Sequence, residues 1–188
     1  MRIIGGAKKG FPLRSPHRAR IRPTSGMIRE AFFNIIPPVE NKVFLDLFAG
    51  TGSVGLEALS RGAARVAFVE KDRNLARFLE ADLLRLGFEE QGKVFCADVK
   101  SGIFQVVRMS LRCDYIFIDP PYEEGLIVKA LGFIAEASIA AQDGWVVVQH
   151  SRREPVAFSE KDYFFEQERV YGDSVLLFLK AVKQAERN

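Results

Sequence analysis

Five short apolar runs, separated by four stretches with the spacing of amphipathic helices, constrain this chain more than any other feature. The runs lie near residues 43–48, 65–70, 93–97, 114–119 and 144–150, and the helical stretches near 53–61, 72–86, 100–112 and 125–141. Apolar strands that alternate with helices form a parallel sheet through right-handed crossovers. Ligands then bind beyond the C-terminal strand ends. Before this unit, Ile28, Ala31, Phe32, Ile35 and Ile36 recur at helical spacing and stop at Pro37-Pro38. Residues 1–14 read as a basic β-hairpin, with Gly5, Gly6, Gly10 and Pro12 between short apolar stretches. After the alternating unit, apolar runs at 163–170 and 174–180 flank Tyr171-Gly172-Asp173, a second hairpin signal. The expected fold is α/β: a seven-stranded, doubly wound, Rossmann-like sheet whose last strands form an antiparallel hairpin. One domain is expected over 1–188, with 1–38 as a basic extension of hairpin and helix. A chain of 188 residues, 48% apolar and 27% charged, can bury a core for such a sheet.

The first apolar run leads into a glycine turn. Val43-Phe44-Leu45-Asp46-Leu47-Phe48 precedes Ala49-Gly50-Thr51-Gly52-Ser53-Val54-Gly55, and a helical pattern follows. Gly50, Gly52 and Gly55 fit G-x-G-x-x-G in the strand–turn–helix setting that pattern requires. Glu70 ends the next strand, twenty residues after Gly50. A carboxylate there can accept both hydroxyls of a ribose. This fingerprint alone does not separate a dinucleotide from other nucleosides.

A second constellation, Asp119-Pro120-Pro121-Tyr122, stands at the end of the fourth apolar run. Proline has no N–H and a fixed φ, so this corner is stiff and its carbonyls lack local donors. Asp119 and the Pro120 carbonyl can accept both hydrogens of a planar amine, and Tyr122 can stack on the ring that carries it. Such a corner suits the exocyclic amine of an unstacked nucleobase.

Three features favour a cofactor with an amino-acid end over a dinucleotide. Asp46, just before the turn, would repel a pyrophosphate but can pair with an ammonium group. Asp98 ends the third run, where it can meet an adenine amine. The D-P-P-Y corner offers no site for a hydride acceptor. Amino acid, ribose and adenine together describe S-adenosylmethionine.

The chain resembles the RsmD-type methyltransferases in D-L-F-A-G-T-G-S-V-G-L-E-A-L-S-R-G-A (46–63), V-E-K-D (69–72) and D-P-P-Y (119–122). R-I-I-G-G (2–6), R-P-T (22–24), R-E-A-F-F-N (29–34), Q-H-S (149–151) and Y-G-D-S (171–174) extend the likeness over nearly the whole chain. Gly26-Met27 departs from it, standing where relatives usually carry an acidic and then a basic residue. The resemblance implies the seven-strand methyltransferase variant of the doubly wound fold. It also implies methylation of the exocyclic N2 of one guanine in small-subunit (16S) rRNA. Arg22 and Thr24 would then lie near the target pocket, and the substrate would be rRNA in an assembled or assembling 30S particle.

Charge is distributed in the same sense. Residues 1–31 carry eight Lys/Arg against one acid, a net +7, whereas the rest of the chain is −4. A basic segment of this kind suits a polyanion, with Arg14, Arg18 and Arg20 as phosphate contacts from an arm lying across the site. Arg152 and Arg153, just past the fifth run, could also reach RNA. No apolar run reaches the ~20 residues of a membrane helix, and the N-terminus lacks a secretory h-region. A cytoplasmic, monomeric enzyme is expected, with Cys96 and Cys113 as buried free thiols and no zinc site. Two other functions remain open on the sequence. D-P-P-Y also occurs in adenine-N6 methyltransferases of DNA or RNA, although the chain leaves no residues for a separate recognition domain. A non-catalytic RNA-binding module is the other, disfavoured by the intact acids at 46, 70 and 98. N-P-P-Y glutamine methyltransferases are more distant still, with asparagine in place of Asp119.

Overall fold

The computed structural model describes residues 1–14, 26–121 and 125–182. Its helices are α1 (Gly26–Ile35), α2 (Ser53–Ser60), α3 (Arg73–Leu86), α4 (Val99–Arg108) and α5 (Leu126–Ala137). Its strands are β1 (Val43–Leu47), β2 (Arg65–Glu70), β3 (Gly92–Cys96), β4 (Cys113–Ile118), β5 (Ala140–Ser151), β6 (Tyr163–Tyr171) and β7 (Ser174–Ala181). They form one seven-stranded sheet in the order β3-β2-β1-β4-β5-β7-β6. The first five strands are parallel, and β7 runs antiparallel between β5 and β6. From β1 the chain builds outward to β3, then returns to add β4 on β1's other side. The switch point of the sheet therefore lies between β1 and β4, where a crevice opens at the C-terminal strand ends.

Alternation along the strands divides the core between the two faces. Phe44, Phe68, Phe117, Val147 and Phe178 pack with residues of α1, α2 and α3 on one face. Leu45, Val69, Ile116, Val148 and Leu179 pack with α4 and α5 on the other. Local signals set the helix ends. Asp72 caps α3 by accepting from the backbone N–H groups of Asn74 and Leu75, and Gly87, at φ 72°, closes the helix.

Residues 1–14 form the expected hairpin, held by an Arg2–Pro12 bridge and a 3.0 Å hydrogen bond from Ile3 N–H to the Phe11 carbonyl. Their location differs from expectation. They dock on α2 and α3, and none of them lines the cleft at the strand ends. Two buried acids explain this. Glu57 accepts from Ile4 N–H at 2.8 Å and Gly5 N–H at 2.7 Å, and Asp82 accepts from Arg14 N–H at 2.9 Å. Arg85 also donates to the Pro12 carbonyl. Gly6, at φ 74°, lies so close to the Ser60 carbonyl that a Cβ would stand 1.8 Å from its oxygen.

Two further differences have local causes. The fourth helix-strand boundary falls earlier than the apolar pattern suggests. Ser138 turns into the left-handed region at φ 49°, and the Ile139 carbonyl accepts from Cys113 N–H, so β5 begins at Ala140. Pairing with β4 overrides the helical pattern through Ala141. Cys96 is exposed because β3 is an edge strand, whereas Cys113 is buried, and burial pushes its thiol up to about 12. No helix among the described residues is long and apolar enough to cross a membrane.

Candidate active site

A cleft of about 820 Å³ opens at the C-terminal ends of β1 to β5, over the switch point. Its size suits a nucleoside-sized ligand. Glu70 and Asp119 line this same cavity, as do Gly50, Asp98 and Pro120.

The glycine turn shapes one wall. Gly52 adopts φ 71° at the N-terminus of α2, and a Cβ there would stand 2.1 Å from Leu79 Cδ1. Both conformation and close approach require glycine. Phe48, at the start of the turn, also has a positive φ of 61°. A bulky residue in that region stores on the order of 1–3 kcal/mol of strain, a cost that concentrates at functional sites.

Glu70 is 7% exposed and clamped by two backbone groups. Gly50 N–H donates to its Oε2 at 2.7 Å, and Asp72 N–H donates to its Oε1 at 2.7 Å. Each oxygen keeps a second lone-pair direction for a ligand hydroxyl. The clamp fixes the carboxylate plane and ties the glycine turn to the cap of α3.

Asp46, expected to pair with an ammonium group, is buried. It is 2% exposed, sits beneath the turn rather than on the cleft wall, and accepts from Gly55 N–H at 2.9 Å. Desolvation pushes its carboxyl well above the ordinary range. The Gly55 hydrogen bond opposes this, and the nearby charges of Asp119 and Glu70 add to it. The three carboxyl groups thus lie close enough for their charges to interact.

Asp98 is exposed on the cleft rim and caps α4, accepting from Ser101 N–H at 3.0 Å and from the Ser101 hydroxyl at 2.8 Å. Those two bonds hold its carboxyl below the usual range. It stays ionised and available as an acceptor. Leu75, Val99 and Phe133 give the same end of the cleft an apolar surface for a flat ring.

Asp119 is half-buried and Pro120 buried at the end of β4, whose pairing with β1 brings them beside the turn. Tyr122, Arg18, Arg20, Arg22 and Thr24 lie outside the described residues. Arg14 is described, exposed and away from the cleft, held through its backbone on Asp82. The structure thus brings Gly50, Glu70, Asp98, Asp119 and Pro120 together and sets Asp46 just beneath them.

Two features went unread in the sequence. Gln149 lines the cleft from the end of β5. Its signal was a lone amide ending the apolar run Val146-Val147-Val148. The second is a buried ionic knot behind the turn. Glu57 is 0% exposed, with Arg61 Nε at 2.9 Å and Arg29 Nε at 3.6 Å. Arg29 is itself 1% exposed and donates to the Arg2 carbonyl at 2.6 Å. Segments 2–6, 29–34 and 46–63, which carry much of the resemblance, meet at this knot.

Comparison with known proteins agrees with the topology. The family described as Conserved hypothetical protein 95 matches residues 1–180. The Ribosomal RNA small subunit methyltransferase D of Escherichia coli K12 is 30% identical over 173 residues, covering 92% of this chain and 85% of that protein. A solved structure of the Escherichia coli protein yhhF superimposes with a TM-score of 0.85 at 26% identity, covering 98% of this chain and 99% of that one. The hypothetical protein TTHA0928 of Thermus thermophilus gives 0.79 at 29% identity, over 95% and 98%. The chain belongs to the Conserved hypothetical protein 95 family, that of the RsmD-type methyltransferases.

Proposed function

We propose that this protein transfers the methyl group of S-adenosylmethionine to the exocyclic N2 amine of one guanine in small-subunit rRNA. One observation carries the reading: a ribose-type acid, Glu70, and an amine-type acceptor corner, Asp119-Pro120, line one continuous cleft. The cleft fits the cofactor chemically. Asp46, just beneath the glycine turn, lies where the cofactor's ammonium end would approach. Glu70 keeps lone pairs for ribose hydroxyls, and Asp98 with the neighbouring apolar wall suits an adenine.

When bound, S-adenosylmethionine supplies an electrophilic methyl group. The remaining task is to present the amine. The N2 lone pair of guanine conjugates with the ring, so the free amine is a poor nucleophile. Asp119 and the Pro120 carbonyl accept its two hydrogens, favour a pyramidal nitrogen and aim the lone pair. Alignment of this kind lowers barriers by roughly 7–11 kcal/mol in favourable cases. As the N–C bond forms, the S–C bond breaks. The amine's proton leaves to solvent afterwards, so no strong base is needed. Tyr122 stacks on the base, which must already be out of its helix.

The basic arm supplies affinity. Arg14, Arg18 and Arg20 contact phosphates, which position RNA without reading its sequence. Selectivity then comes from folded shape, so the substrate is rRNA in an assembled or assembling 30S particle in the cytoplasm. A monomer suffices, because every residue invoked belongs to one chain.

The test is mass spectrometry of small-subunit rRNA nucleosides with and without this protein, combined with methyl incorporation into particles, free rRNA and short RNA. N2-methylguanosine that depends on the protein is expected, with particles or folded rRNA the best substrates. Asp119→Ala should abolish transfer while leaving cofactor affinity within about threefold. Tyr122→Ala should cripple transfer, through stacking worth about 1–3 kcal/mol, and Tyr122→Phe should keep most of it. Product on adenine N6, or equal activity on a short unstructured RNA, would overturn the proposal.

A further inference from the structure

Gln149 ends an otherwise apolar run of β5 and is 5% exposed. It lines the cleft, and its Oε1 has no hydrogen-bond partner among the described residues. A buried acceptor left unpaired is costly and uncommon, so it calls for a ligand. The other buried side-chain atoms in that condition among the described residues belong to Arg29 and His150, neither of which lines the cleft.

The register places Gln149 beside the amine corner. Ile118 of β4 pairs with Val148 of β5, so Asp119 and Gln149 follow at the ends of adjacent strands. Phe117 and Val147, two positions before each, pack in the same cluster on one face of the sheet. Residues two apart share a face, so an acid and an amide oxygen stand side by side at the base end of the cleft.

We propose that Gln149 Oε1 accepts the N1–H of the target guanine and so selects guanine over adenine. This rests on the guanine-N2 reading above. Along the pairing edge of guanine, the donor next to the N2 amine is N1–H. Adenine instead places a bare N1 lone pair beside its N6 amine. With the amine held by Asp119 and the Pro120 carbonyl, a neighbouring acceptor completes the match to guanine. The same acceptor meets adenine lone pair to lone pair. Sites built to bond a particular N–H reject analogues that lack it far more strongly than apolar pockets reject a changed shape. Gln149 is thus a specificity-determining residue that touches the base but takes no part in bond making.

The experiment uses reconstituted small-subunit RNA particles whose target position holds guanine or 2-aminopurine. The latter keeps the N2 amine and carries a lone pair at N1. The ratio of kcat/KM between the two bases is measured for the wild type, Gln149→Leu and Gln149→Glu. The wild type should prefer guanine by about tenfold or more, since the analogue leaves the buried acceptor unpaired. In Gln149→Leu the ratio should fall to within about twofold of unity, mainly through loss on guanine. Gln149→Glu keeps an acceptor and should keep the preference. Cofactor affinity, read by calorimetry, should change less than about threefold in the leucine variant if the effect lies at the base. A leucine variant that slows both substrates equally and keeps the wild-type ratio would show a packing role and overturn the inference. So would a wild type that does not distinguish the two bases, a result that holds even where the leucine variant fails to fold. Absence of any N2 product from the guanine particle would sink the parent reading as well; an unchanged ratio sinks this inference alone.

Discussion

Asp46 and Glu57 are both buried carboxylates of one strand–turn–helix unit, and they are treated in opposite ways. Glu57, on α2, has two arginines within ion-pair distance and two backbone donors from the N-terminal hairpin. Asp46, on β1, has one backbone donor and two neighbouring acids, and its carboxyl is pushed up by burial and by their charges. The first arrangement neutralises a buried charge and uses it to join segments. The second leaves a buried acid without an ion-pair partner among the described residues, beneath a cleft. A buried acid with counter-ions marks scaffold; one without them under a cleft is a candidate for meeting a cationic ligand.

The largest expected effect tests the scaffold side. Glu57→Leu leaves Arg29 buried without its counter-charge and should cost about 3–5 kcal/mol in urea unfolding. The backbone amides of Ile4 and Gly5 should then exchange rapidly with solvent. A loss under about 1 kcal/mol would break the comparison. Next comes Glu70→Ala on the cleft side. Its hydrogen bonds to a charged group lie at the top of the usual range, so cofactor affinity by calorimetry should fall more than about tenfold. Unchanged affinity would remove Glu70 from the ribose site.

The smallest effect carries the sharpest sign. Asp46→Asn keeps an acceptor for Gly55 N–H and removes the charge. Burial raises the folded-state pKa of Asp46 above its ordinary 3.8, so the folded wild type holds its proton more tightly than the unfolded chain does. As pH rises from below that value, the unfolded chain ionises first and the wild type loses stability; above the raised folded value the penalty is constant. The asparagine variant should therefore be more stable than wild type near neutral pH, and equal to it in acid below 3.8. Its cofactor affinity should drop. Thermal melts across pH read the first, calorimetry the second. A variant less stable at neutral pH would assign Asp46 to the scaffold with Glu57.

Most strands were legible because a parallel sheet with both faces covered writes each strand as a continuous apolar run. Val43–Leu47 and Arg65–Glu70 fall within a residue of where the runs place them. The start of β5 was not legible. Ile139, Ala140 and Ala141 continue the apolar pattern of α5, and only the hydrogen bond from Cys113 N–H to the Ile139 carbonyl decides the boundary. In the site, the placement of Glu70 and Asp119 on the cleft was legible because both stand at strand ends. The depth of Asp46 was not, since one residue's register separates a cleft wall from the layer beneath it. Nor was the docking of the hairpin: positive charge on a segment says what it attracts, but its resting place depends on Glu57 and Asp82, whose burial appears only in three dimensions.

The hairpin is gripped by its main chain. The N–H groups of Ile4, Gly5, Ala7 and Lys8 bond to Glu57 or Ser60, and the Gly5 carbonyl accepts from the Ser60 hydroxyl. Attachment and outward chemistry are therefore separate variables. The exposed side chains of Ala7 and Lys9 take no part in those bonds, so their polarity can be rewritten while the fold line stays fixed. Point changes at the loop tip can therefore alter its surface chemistry with the sheet untouched.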